Sequence, residues 1–125
     1  MMAEKAKLFN DFEVYSKIMQ STDPREQKTL GKLVRNFNDK KWVDICKKIV
    51  YNGNLAKFSQ NSELKDYLLS TGDKEIVEAS AYDIRWGIGL SEDDPRRFDR
   101  SKWEGTNWLG IELMNARKTL KEENV

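Results

Sequence analysis

The sequence predicts a mainly α-helical single domain over residues 1–125, with one short β-strand. Three observations carry this. Apolar residues recur every three or four positions along most of the chain. Capping and turn residues punctuate that pattern at helix-like intervals. Only Glu75-Ile76-Val77-Glu78-Ala79 reads as a strand, short and bounded by turn residues. A chain of 125 residues is long enough for one real core and too short for two.

Taken in order, Leu8, Phe9, Phe12, Tyr15 and Met19 mark a helical stretch that Asn10-Asp11 divides into two. Asp23-Pro24-Arg25-Glu26 starts the next helix, with Asp23 as cap, Pro24 at the first helical position and Glu26 bonding back to the cap N–H. Leu30, Leu33, Val34 and Phe37 give its apolar side, interrupted by Gly31. Asn38 or Asp39 caps the clearest helix, on which Trp42, Ile45, Cys46, Ile49 and Val50 form one stripe. Asn52-Gly53-Asn54 signals a turn or a kink. Helical spacing then resumes through Leu55, Ala56 and Phe58, and again through Leu64, Tyr67, Leu68 and Leu69 behind a Ser62 cap. Thr71-Gly72-Asp73 ends it, and the strand follows. Irregular chain carrying Pro95 runs to Lys102, and Thr106 caps a last helix with Leu109, Leu113, Ala116 and Leu120 on one face.

Composition narrows the chemistry. With 22 Lys+Arg against 21 Asp+Glu, the net charge of +1 gives no global case for nucleic acid or membrane, and only a local basic patch stays open. No apolar run approaches the roughly 20 residues that cross a bilayer. MMAEKAKLFND has no apolar signal-peptide core. Cys46 is the only cysteine, so no intramolecular disulfide forms and a cytoplasmic location is expected. On its apolar stripe it reads as a small buried hydrophobe. There is no histidine, which excludes Ser-His-Asp and Cys-His catalysis and His-ligated zinc. Chemistry therefore falls to Asp, Glu, Lys, Arg, Tyr, Ser, backbone amides or a recruited Mg²⁺, and the residues themselves mark no metal site.

The loop VEASAYDIRWGIGLSEDDP, from Val77 to Pro95, gathers the candidates. Loops of this length in a compact domain are usually functional or disordered. Tyr82, Trp86, Phe98 and Trp103 argue for packing. Glu78 and Asp83 supply a carboxylate pair of the kind that cleaves glycosidic bonds, one protonating the leaving group and the other stabilising the cationic sugar. Trp86 offers a face for a base or sugar ring. Gly87 and Gly89 allow backbone N–H groups to approach phosphate or ribose. A structural reading stays open beside this one: the acids pair with Arg85, Arg96 or Arg97, Trp86 is a core ring, and the glycines satisfy turns. Likewise Lys5 and Arg35 read as solvated helix charges, and Asn107 as the brace of a cap.

KFSQNSELKDYLLSTGDKEIVEASAYDIRWGIGL followed by GTNWLGIELMNAR resembles the signature of the NADAR, or YbiA-like, family. The matching positions are Lys57-Phe58, Thr71-Gly72, Val77-Glu78-Ala79-Ser80, Asp83, Trp86-Gly87-Ile88-Gly89 and Gly105 to Gly110. Upstream, MMAEKAKLF, the run from Lys28 to Arg35, and Trp42 also fit. The resemblance covers nearly the whole chain. It implies a mostly helical single domain that hydrolyses N-glycosidic bonds between ribose and a nitrogenous base. The implied substrates are phosphoribosylated pyrimidine intermediates of riboflavin synthesis, or ADP-ribose on guanine, as small molecule or nucleic acid, with an association with NAD metabolism. It implies no metal or redox cofactor, and the absence of a long apolar run separately predicts no membrane partner. By resemblance, Asp83 and then Glu78 are the catalytic carboxylates. Trp86 stacks on the base, Gly87 and Gly89 admit sugar-phosphate, Arg35 binds phosphate and Asn107 bonds ribose. Lys5 holds phosphate or forms a Schiff base with the opened ribose, a role that needs a lowered pKa.

One departure shapes the expectation. Family members carry roughly forty further residues before this point, enough for several elements. These include an E-(H/Q)-Y motif whose glutamate is regarded as catalytic, and no position here supplies it. The chain is thus expected to be a piece of a longer enzyme, to work with a separately encoded N-terminal segment or by self-association, or to be a catalytically inactive nucleotide-binding module.

Overall fold

In the computed structural model, which describes residues 1–123, the chain forms two compact units, Met1–Ile49 and Val50–Val125. The first contains α1 (Met2–Leu8), α2 (Phe12–Gln20) and α3 (Pro24–Gly31), which pack on one another. A 21-residue helix, α4 (Asp39–Ser59), begins in the first unit and ends in the second. The second unit continues with α5 (Ser62–Ser70), two short 3-10 segments (Pro95–Phe98 and Arg100–Lys102) and α6 (Trp108–Glu123).

Local signals explain most boundaries. Asn10 takes a left-handed φ of 57°, which an asparagine tolerates, and separates α1 from α2. Asp11 then caps α2, its Oδ1 accepting from Val14 N–H at 3.2 Å. Asp23 caps α3 through Arg25 N–H at 2.9 Å, with Pro24 first in the helix. Asn38 caps α4 by accepting from Lys41 N–H at 3.1 Å. Past α5, Gly72 at φ 62° donates its N–H to Leu69 O, the left-handed stop that favours glycine. Ala6, Trp42 and Cys46 are buried, as the apolar stripes require, and so are Ile88, Leu90, Ala116 and Leu120 in the second unit. Cys46 is fully enclosed. No helix among the described residues is long and apolar enough to cross a membrane.

Several expectations need correction. Glu26 does not close a capping box; the Asp23 N–H goes to Ser21 Oγ at 3.2 Å instead. Asn52-Gly53-Asn54 neither turns nor breaks α4. Ser62 is the first residue of α5 rather than its cap. Leu33 and Phe37 lie exposed beyond the end of α3, while Val34 is buried. The Glu75–Ala79 strand does not form, and no strand occurs among the described residues. Its backbone is claimed by a side chain: Ile76 O accepts from Asn107 Nδ2 at 2.9 Å, and Glu78 N–H donates to Asn107 Oδ1 at 3.0 Å. One asparagine amide takes the place of a neighbouring strand.

Candidate functional site

The loop after Glu78 is tied by backbone to the start of α6. The N–H groups of Thr106, Asn107, Trp108 and Leu109 donate to the carbonyls of Ile84, Gly87, Arg85 and Trp86 at 2.8, 2.9, 3.0 and 3.1 Å. A helix begins with N–H groups that have no partner within the helix. Here a preceding loop supplies the acceptors. Ile88 O in turn accepts from Glu104 N–H and Gly105 N–H. The D-x-x-W-G-I-G and G-x-N-x-L-G motifs are therefore two halves of one hydrogen-bonded knot.

Thr106 stabilises the knot and does not cap α6 with its side chain. Its hydroxyl donates to Arg85 O at 2.7 Å. Asn107 holds the turn position, with a left-handed φ of 54° and its carbonyl accepting from Ile111 N–H. It is 2% exposed, and both ends of its amide are spent on Ile76 and Glu78. The amide expected to bond ribose is thus engaged within the protein. It is the clamp that holds the Glu78 segment.

The knot brings Glu78, Asp83 and Trp86 together. Asp83 Oδ1 accepts from Arg85 N–H at 3.0 Å and from Trp86 N–H at 2.8 Å, which fixes the carboxylate half-buried at the head of the turn. Glu78 is exposed, while its carbonyl accepts from Ile88 N–H at 2.9 Å. A Cβ placed on Gly87 would meet Asp83 O at 2.8 Å and Glu78 O at 2.9 Å, so both acidic residues pack against this one glycine. Arg96 is engaged by Asp94 and Glu104, and Arg97 bonds Asp94 O. Two of the three arginines that the ion-pair reading offers, Arg96 and Arg97, are thus held by other groups.

Trp86 is half-buried, edge to face with Trp108 at 5.6 Å, and Arg85 lies 5.5 Å from the Trp108 ring centroid. Sequence reasoning misses the contact of Trp108 with Trp86, and offers Arg85 only as an ion-pair partner for the acids. Nothing in their spacing signals the ring pair, because it depends on the knot. Trp103 packs as expected, with Nε1 donating to Arg97 O at 2.8 Å, but Tyr82 and Phe98 lie open on the surface.

Gly87 and Gly89 are closely approached by the protein itself. Both are buried, and the side of Gly89 (φ 73°) that would carry a Cβ faces Glu104 at 2.9 Å. The bare backbone serves close packing within the protein, and the Ile88 N–H between the glycines is already given to Glu78 O.

Lys5 and Arg35 belong to the first unit. Burial pulls the Lys5 pKa below the ordinary lysine value, with the Asp39 carboxylate opposing, and its Nζ lies 4.5 Å from the Phe37 ring centroid. Arg35 is no unclaimed phosphate ligand. Its backbone N–H and guanidinium bond both oxygens of the buried Asp11 carboxylate at 2.9–3.3 Å, and Glu13 lies 3.8 Å away. Those bonds hold the Asp11 pKa down at about 2.

The sequence is similar to those of known proteins. The model of the NADAR domain matches residues 1–121. A protein named N-glycosidase in Acanthamoeba polyphaga mimivirus is 47% identical over 118 residues, covering 94% of this chain and 69% of that one. Protein irg-1 of Caenorhabditis elegans is 37% identical over 121 residues, and the chain spans 57% of its length. A riboflavin biosynthesis protein of Vibrio vulnificus is 30% identical over 118 residues, of which the chain covers 29%. The family match and the knot joining its two motifs lead to one conclusion: the chain belongs to the NADAR domain family.

Proposed function

We propose that this chain carries an N-glycosyl hydrolase site for a ribosylated base, the ribose bearing a phosphate or ADP. The observation that carries the reading is the Asp83 carboxylate, fixed by two backbone N–H donors beside a half-buried tryptophan, with the exposed Glu78 held on the same loop by its backbone contact with Gly87 and Ile88. Cleaving the bond needs a proton on the departing base nitrogen, a negative charge near the cationic C1′, and a water that delivers hydroxide to C1′. Asp83, fixed by two N–H donors, is the proposed charge at the sugar. Glu78, exposed and less constrained, is the proposed proton carrier, and Trp86 the proposed ring contact. The relatives named N-glycosidase and riboflavin biosynthesis protein support the bond type and the substrate class.

Lys5 enters by its chemistry. An amine whose pKa is lowered by burial is less costly to deprotonate, and a neutral amine can condense with the aldehyde of an opened ribose, releasing water. Borohydride reduction in the presence of ribose 5-phosphate then leaves a mass adduct on Lys5, absent from Lys5→Met.

A second reading, binding without turnover, is favoured by one observation: Asp83 Oδ1 already serves the turn. Incubation with ADP-ribosylated guanosine, or with a ribosylaminopyrimidine phosphate, separates the two. Release of free base that falls at least ~100-fold in Asp83→Asn, as loss of a catalytic acid–base or charge-stabilising group entails, supports the hydrolase. Asparagine keeps an oxygen for the two N–H groups, so the turn survives. Saturable binding with no free base supports the binding module. A chain that neither binds nor turns over either compound, and whose melting temperature they leave unmoved, refutes both.

A further inference from the structure

The far half of α6 carries a feature that the loop site does not use. Arg117 lies more than two turns beyond Trp108, about 13 Å along the axis at ordinary helical rise. It is only 8% exposed. Its Nη1 donates to Thr71 Oγ1 at 2.8 Å, and that hydroxyl donates to Leu68 O at 2.6 Å, which leaves its lone pairs for the guanidinium. Thr71 thus positions the fork. Among the described residues, no carboxylate lies within ion-pair distance of Arg117, and Thr71 is its one hydrogen-bond partner.

Arg117 lines a groove of about 610 Å³ whose wall also includes Lys118, Lys121 and Asn115. Asp73 and Glu122 share that wall, but the contact between Asp73 and Lys121 is a 3.7 Å pair of largely exposed groups and holds little. A cation this deeply buried without a counter-charge is costly, and an anion in the groove removes that cost. The donors suit one anion type. A planar fork with a fixed orientation binds two oxygens of a tetrahedral phosphate, while flexible ammonium groups add charge from the same helix. The two carboxylates oppose an extended polyanion more than a single compact group.

We propose that this groove binds a phosphate monoester or diphosphate group, with Arg117 as the oriented ligand and Lys118 and Lys121 as supporting charges. The proposal is independent of the hydrolase reading, because a chain without turnover keeps the groove.

The test titrates the chain, at constant ionic strength, with inorganic phosphate, pyrophosphate and a single-stranded oligonucleotide lacking terminal phosphates. Melting temperature and the amide resonances of residues 71–73 and 114–122 are followed. Phosphate and pyrophosphate are expected to raise the melting temperature saturably and to shift those resonances. Affinity is expected to fall roughly tenfold or more in Arg117→Lys, the scale of one charge-assisted bidentate contact. The Lys118→Gln/Lys121→Gln variant alters only exposed side chains and decides the matter if Arg117→Lys fails to fold. Phosphate bound elsewhere would be indifferent to both variants. The proposal is overturned by the absence of saturable binding, or by binding that both variants retain at full strength. It is also overturned if the oligonucleotide binds in an Arg117-dependent way and phosphate does not, since the groove would then read a phosphodiester strand.

Discussion

Both ends of the Asn107 amide are bonded to backbone in a part-buried setting, to Ile76 O and Glu78 N–H. Asn107→Ala strands a carbonyl and an N–H, and is expected to lower stability by about 1–3 kcal/mol, the loss of two hydrogen bonds in a part-buried setting. Asn107→Gly loses the same bonds but accepts the φ of 54°, and is expected to recover about 0.5–1 kcal/mol relative to alanine. Urea unfolding measures both, and an alanine variant as stable as the parent would refute the clamp. Asp11 makes a separate prediction in acid. Its bonds to Arg35 hold the folded pKa at about 2, below the ordinary 3.8. A depressed carboxylate stabilises the fold above its unfolded pKa and loses that contribution as pH falls toward the folded one. Asp11→Asn can still cap α2 yet lacks the charge. The variant should therefore be less stable than the parent at pH 6, with the gap shrinking from about pH 4 and nearly closed at pH 2. A gap that stays constant down to pH 2 would show that the charge contributes nothing.

α4 crosses a stretch whose residues signal a turn or a kink. Asn52-Gly53-Asn54 has poor helix propensity, but tertiary context overrides a weak local preference, and the helix continues through it. Gly53 is exposed, and a Cβ there would meet nothing within 4 Å. Gly53→Ala should therefore raise stability by about 0.5–1 kcal/mol, since alanine removes conformational freedom from the unfolded chain at no steric cost. The expected readout is a higher urea midpoint with unchanged slope, and a lower midpoint would mean that the glycine is needed there. Elements with a local cause were legible in this way: the Asn10-Asp11 break, the Asp23-Pro24 start and the Asn38 cap each act within three residues of themselves. The expected strand at Glu75–Ala79 failed for the opposite reason. Its competitor, the Asn107 amide, lies 29 and 31 positions away in sequence.

On the scale of the whole molecule, the near balance of 22 basic and 21 acidic residues puts the isoelectric point at about 7.7. Large rings stand open on the surface, with Tyr82 100% and Phe98 80% exposed. Low net charge together with exposed apolar area promotes association. Light scattering across pH 5–9.5 should find least solubility near pH 7.7, with recovery on either side. Scattering that is flat with pH would assign any association to the apolar surface alone. The same balance argues that anion binding is local, as the Arg117 groove requires, and does not follow from the field of the entire chain.

The sequence by itself determined the helical class, the buried stripe bearing Cys46, the exclusion of histidine chemistry, and the loop in which Glu78, Asp83 and Trp86 meet. These follow from residue type and short-range spacing, which act wherever the chain goes. Only the tertiary structure decided that Asn107 is a clamp, that Gly87 and Gly89 are filled by protein, that Arg35 is claimed by Asp11, and that the start of α6 is satisfied by the loop before it. Each of these is a choice between partners distant in sequence. Periodicity records which side of a segment is apolar, and it carries no record of which remote amide, carboxylate or carbonyl will stand opposite.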